Sequence, residues 1–105
     1  MKSALRGTQK SRRYFSQPPG IGLPVERRPP PNAVMTHWTI YRKPKDFPQG
    51  YVLRAHYIVN WRQIQPDPAA WYSDHVVELR AIVPPGLYRI MPGPLDDATI
   101  LETWI

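Results

Sequence analysis

The sequence predicts an α+β domain: a small antiparallel sheet of about four strands with one helix packed on one face, in the order β-β-α-β-β, preceded by a disordered tail. Three observations carry this expectation. Two stretches, residues 36–42 and 51–59, alternate in the manner of strands. One stretch, residues 73–83, spaces its apolar side chains as a helix does. The composition changes sharply near Met35, so the domain is assigned to residues 35–105 and the tail to residues 1–34.

Charge draws the same boundary. The chain of 105 residues carries a net charge of +6. Residues 1–34 hold Lys2, Arg6, Lys10, Arg12, Arg13, Arg27 and Arg28 against Glu26 alone, which accounts for the whole excess. Residues 35–105 hold equal numbers of cations and anions, so the isoelectric point of the whole chain says little about the domain. The first third also carries Pro18, Pro19, Pro24, Pro29, Pro30 and Pro31, with no apolar period. Such a segment buries too little surface to offset an ordering cost of about 1–2 kcal/mol per residue. Polyproline II character is expected around Arg27-Arg28-Pro29-Pro30-Pro31.

Four readings of the tail stay open. It is a solvated leader (or a start placed ahead of Met35), a basic arm whose Arg12, Arg13, Arg27 and Arg28 touch phosphate, a targeting peptide, or a ligand for a proline-reading domain. The chain has no cysteine, which removes disulfides, thiolate metal sites and cysteine nucleophiles. No apolar run approaches the roughly 20 residues of a membrane helix, and a cytoplasmic protein with no membrane partner is expected.

The elements follow in order. In residues 36–42, Trp38 and Ile40 alternate with His37, Thr39 and Tyr41. Pro44, Pro48 and Gly50 punctuate a loop over residues 43–50, which is long for a hairpin. In residues 51–59, Tyr51, Leu53, Ala55, Tyr57 and Val59 form a core face, while Val52, Arg54, His56 and Ile58 form a half-exposed one. Residues 60–70 are polar and irregular. Ser73 fits a helix N-cap, with Tyr72, Val76, Leu79 and Val83 on one side of the helix, and Pro84 ends it. Residues 87–91 form a short strand and residues 100–104 the last one. Its facing is open: either Leu101, Thr103 and Ile105 point inward, or Ile100 and Trp104 do.

Certain runs also resemble a family of small bacterial proteins of unknown function. Trp38-Thr39-Ile40-Tyr41 followed by Pro44, Asp46 and Pro48 resembles its opening. Pro84-Pro85-Gly86-Leu87, Asp96-Asp97 and Ile100-Leu101-Glu102-Thr103-Trp104 resemble its close. The resemblance covers about residues 35–105 and consists of packing and turn residues, so it implies a compact bacterial domain and no activity.

No catalytic constellation rises above background, and neither enzyme activity nor a cofactor is expected. His37, His56 and His75 lie at no helical metal spacing. Ser73-Asp74-His75 has triad residue types, but Ser73 and Asp74 are explained by the helix start. Asp96-Asp97 suits a turn, a pairing with Arg89 or, less simply, a divalent cation. One helix of about ten residues is roughly 15 Å long and covers one face of a four-stranded sheet. The opposite face is therefore expected to be open and to carry Tyr41, Arg54, His56 and Ile58, with Glu102 and Trp104 as companions, unless the middle loop or the tail folds over it.

Three functions follow, in order of preference. The first is a non-enzymatic interaction module that uses this face for an unidentified protein partner or for self-association. The second is a nucleic-acid-binding protein whose tail contacts phosphate while the face stacks bases. The third, a small enzyme, needs Arg54, His56 and Glu102 in one cleft.

Overall fold

A computed structural model describes residues 22–105 of the chain. Arg12 and Arg13, and the tail expectation up to residue 21, lie outside the described residues.

Strands β1 (Met35–Arg42) and β2 (Tyr51–Asn60) run antiparallel, in register from Met35 opposite Ile58 to Arg42 opposite Tyr51. Their β-branched and aromatic residues fill a pleated surface: Trp38, Thr39 and Ile40 are buried in succession on β1, and Leu53, Ala55 and Tyr57 at alternate positions of β2. The polar stretch after β2 is not a free loop. It turns at Trp61 and Arg62, where the Asn60 side-chain carbonyl accepts the Arg62 backbone N–H at 2.8 Å, and returns as β3 (Gln63–Pro66). A further short strand, β4 (Trp71–Ser73), pairs with the first half of β2. Thus β3 and β4 lie end to end along one edge of β2, with residues 67–70 between them.

Helix α1 (Val76–Ile82) follows, then β5 (Arg89–Ile90) and β6 (Ile100–Trp104). The sheet has six antiparallel strands rather than four, with β6 between β1 and β5. The α+β class and the single helix on one face are as predicted; β3 and β4 are the additions.

The helix begins at Val76, three residues after the expected cap. Ser73 still organises its start: its Oγ accepts the His75 N–H at 3.0 Å and donates to Glu78 Oε1 at 2.5 Å. Val83 is extended ahead of Pro84 (φ −60, ψ 137), and Gly86 turns the chain at φ +86, a conformation costly for any side chain. The helix packs Leu79 into a cluster of Trp38, Ile40, Leu53, Ala55 and Trp71. The Trp38 and Trp71 rings meet at 5.9 Å and a tilt of 54°. Burying a side chain such as Leu79 is worth about 1.5–3 kcal/mol.

The ordered domain starts before Met35. A 3-10 turn at Pro24–Glu26 seats Pro24 in the interior, the Val34 N–H donates to Ile58 O at 2.8 Å, and Arg27 ion-pairs with Asp67. Local composition is poor here, but one buried proline and one charged anchor hold the segment down. Among the described residues, no helix is long and apolar enough to cross a membrane.

Candidate binding face

The strand register sorts the side chains. Trp38, Ile40, Leu53 and Ala55 point toward α1; His37, Thr39, Tyr41, Arg54, His56 and Ile58 point away from it. Two adjoining depressions mark this second face. The larger, of about 360 Å³, is framed by Tyr41, Arg54 and His56, with Pro44, Val52 and Pro66 as apolar walls. The smaller, of about 240 Å³, shares Tyr41 and His56 and extends to His37, Ile64 and Thr103. The Tyr41 hydroxyl and His56 Nε2 share a hydrogen bond of 2.7 Å between the two hollows, with the rings edge to face.

Residues 43–50 bound the face at one end. Phe47 meets Tyr72 edge-on at 5.3 Å, and Val52, expected to be half-exposed, is only 3% exposed beneath this loop. The middle segment does not cover the face: it forms β3 at the edge and contributes Pro66 and Pro68 to the wall of the larger hollow.

Arg54 is the fixed charge of the site. Its Nη1 donates to the backbone carbonyl of Asp67 at 2.6 Å, and among the described residues it makes no ion pair. Around it two imidazoles and a phenol are held neutral. Burial lowers His56 below its ordinary pKa, assisted by the charges of Arg54 and His37. Burial alone lowers His37. Burial raises Tyr41, with Asp97 acting in the same direction and Arg54 opposing. At neutral pH the face therefore presents one guanidinium beside two uncharged imidazoles and an uncharged phenol.

The structure brings together Tyr41, Arg54 and His56 and removes the other two expected members. Glu102 lies opposite Ile40 and Trp104 opposite Trp38, so both belong to the helix side of the sheet. A register shift between Ile40 and Tyr41 takes Ile100 back to the open face, opposite Tyr41, so the inward set is Trp104 with Glu102 rather than with Ile100. Glu102 is 1% exposed. It accepts two bonds from Arg80 of α1, at 2.9 and 2.8 Å, and one from Trp104 Nε1 at 2.9 Å, while Arg89 stands 3.9 Å away. Burial raises its pKa, but these donors and charges outweigh burial and hold the carboxyl below its usual range. His56 and Glu102 stand on opposite faces, so the cleft that the enzyme reading needs is not assembled.

Arg27 is likewise not available to phosphate. Its Nε and Nη2 donate to the two carboxylate oxygens of Asp67 at 3.0 and 2.7 Å. Asp67, 1% exposed, also accepts bonds from the Tyr57 hydroxyl and the Ala69 N–H. Burial pushes this carboxyl up, and the donors from Arg27, Tyr57 and Ala69 bring it net below its ordinary value. Arg28 is exposed.

Asp96 and Asp97 serve their own loop. Asp96 accepts the Gly93 N–H, and Asp97 accepts the N–H and hydroxyl of Thr99. Arg89 turns to Glu102 instead of to this pair. Among the described residues no three His, Asp or Glu side chains cluster as a metal site would require.

Sequence reasoning missed an apolar rim. Met35, Ile58 and Ile64 stand side by side across β1, β2 and β3, with Met35 and Ile64 exposed. Trp61 at the neighbouring turn is 82% exposed and carries the Arg62 guanidinium 4.2 Å from its ring centroid. The available signal was the pattern of Ile64 between Gln63 and Gln65, which is strand alternation in a stretch otherwise read as irregular. No protein-family model, no curated protein and no solved structure matches the chain.

Proposed function

We propose that this protein is a non-catalytic binding module and that the hollow framed by Tyr41, Arg54 and His56 is its ligand seat. The observation that carries the reading is Arg54: a guanidinium fixed by the Asp67 carbonyl, in a hollow with apolar walls, without a carboxylate partner among the described residues. Sites that hold small molecules combine this kind of concavity with a few fixed polar groups. The neutral His56 and Tyr41 add hydrogen-bonding capacity without a poised nucleophile or a metal-binding cluster.

The nucleic-acid reading loses Arg27 to Asp67 and rests on Arg28 and Arg54 among the described arginines. The test is amide NMR of the labelled full chain with a panel of probes: indole, benzamide, benzoate and, separately, a short single-stranded DNA. Saturable shifts from a small probe, clustered at Tyr41, Arg54 and His56, support the seat. Shifts confined to other surfaces, or none, contradict it. Salt-dependent shifts with the DNA alone transfer the proposal to nucleic acid.

A further inference from the structure

The seat's chemistry narrows its ligand, and this step rests on the reading just given. We infer that the ligand is a small organic monoanion, a carboxylate on a planar apolar body, with the carboxylate on Arg54 and the body between the proline walls.

Charge gives the first argument. Arg27 and Arg80 each spend two nitrogens on one buried carboxylate. Arg54 spends one nitrogen on a neutral carbonyl, which fixes the guanidinium without neutralising it. Its remaining N–H groups have no protein acceptor among the described residues, and an Arg fork suits a carboxylate.

The count of charges gives the second. One guanidinium faces the hollow, and Asp46 stands at its wall. A phosphate dianion would set two negative charges against one cation with a carboxylate nearby, whereas a monoanion sets one against one. Shape gives the third. A hollow of about 360 Å³ admits a small molecule rather than a helix, and Pro44, Pro66 and Pro68 offer apolar contact.

Linkage supplies a readout besides affinity. His56 is faced by Tyr41 and His37 from β1 and by Arg54 from its own strand, with Asp46 and Asp96 in the loops lining the two hollows. An anion on Arg54 cancels part of the charge that disfavours imidazolium. Its binding must therefore leave the His56 pKa higher than a neutral ligand of the same shape does, and its affinity relative to that ligand must rise as pH falls through that pKa.

The experiment is an amide and histidine-ring NMR titration of the full chain with sodium benzoate, benzamide and benzylammonium at matched ionic strength. Benzoate is expected to bind at Tyr41, Arg54 and His56 about tenfold or more tighter than benzamide, and to leave the His56 pKa higher than benzamide does at saturation. Arg54→Gln should bring benzoate to the level of benzamide; if that variant does not fold, the wild-type comparison alone decides. Equal binding of benzamide or benzylammonium at these residues, or a His56 pKa no higher in benzoate than in benzamide, overturns the anion and leaves the seat standing. No response to any of the three overturns the anion, and no response to indole as well overturns the seat with it.

Discussion

Asp67 holds Arg27 with its carboxylate and Arg54 with its backbone carbonyl, so one residue at the junction of β3 and β4 anchors the N-terminal segment and orients the cation of the open face. The Asp67 N–H completes the arrangement by donating to Ala55 O on β2 at 2.9 Å.

Replacing this carboxylate should be among the more costly single changes. Asp67→Asn keeps the shape but removes the charge facing Arg27, which is only 23% exposed. A loss of about 2–4 kcal/mol is expected in denaturant unfolding, toward the low side for a buried pair because Arg27 keeps some solvent. Arg27→Ala should cost less, since the Tyr57 hydroxyl and the Ala69 N–H still serve the carboxylate. An Asn variant as stable as the wild type would contradict the anchor.

The second buried carboxylate ties the helix to the sheet. Glu102→Gln should loosen α1 through Arg80, with a cost of about 1–3 kcal/mol, discounted because the Arg80 side chain is 36% exposed. Hydrogen exchange of the α1 amides should speed up more than that of β1 and β2. Uniform acceleration across the sheet would show that the pair does not serve the helix locally.

Stability should fall on acidification in two windows. His37 and His56 sit below their ordinary value of 6.5 when folded, so the unfolded chain takes up protons first as pH drops from there. Their contribution is present above pH 6.5 and lost as pH falls through the folded values. Asp67 and Glu102 are depressed from 3.8 and 4.5, and theirs is lost as pH falls through the still lower folded values. Tyr57, pushed up to about 12 by burial and Asp67, sets the alkaline limit: its share is present below pH 10 and lost as pH rises through 12. Thermal melts from pH 8 downward check the upper acid window, which His37→Gln/His56→Gln should flatten. A wild-type curve already flat between pH 7.5 and 5.5 would refute the histidine contribution.

Two positions bracket the loop that walls the seat and should respond in opposite directions. A Cβ on Gly50 would stand 2.4 Å from a Phe47 ring carbon and 2.6 Å from the Ser73 backbone oxygen. The second contact is with a strand and cannot yield cheaply, so Gly50→Ala should cost about 1–3 kcal/mol. Lys43, at φ 51, holds a left-handed conformation while its N–H donates to Gly50 O at 2.7 Å. Lys43→Gly should be neutral or gain up to about 1 kcal/mol. Denaturant midpoints of the two variants, compared with wild type, settle the signs.

What was legible in the sequence was whatever expressed itself as a period. β1 and β2 follow from alternation, and α1 from the spacing of Val76 and Leu79. β3 and β4 are shorter, and their pairing comes from β2 rather than from their own residues. Alternation alone leaves the facing of β6 open, and an interior glutamate is not expected unless it is paired. Its partner, Arg80, is 22 positions away on another element. Arg27 was hidden in the same way behind a partner 40 positions distant. Tyr41, Arg54 and His56 were legible because strand alternation alone puts them on one face.

The most direct test of the ligand seat is the Arg54 side-chain Nε–H resonance, followed as benzoate is added to the full chain at constant ionic strength. The account predicts a saturable shift of Arg54 while the Nε–H resonances of Arg27 and Arg80, already bonded to carboxylates, stay in place. A silent Arg54, or a response shared equally by all three arginines, would contradict it.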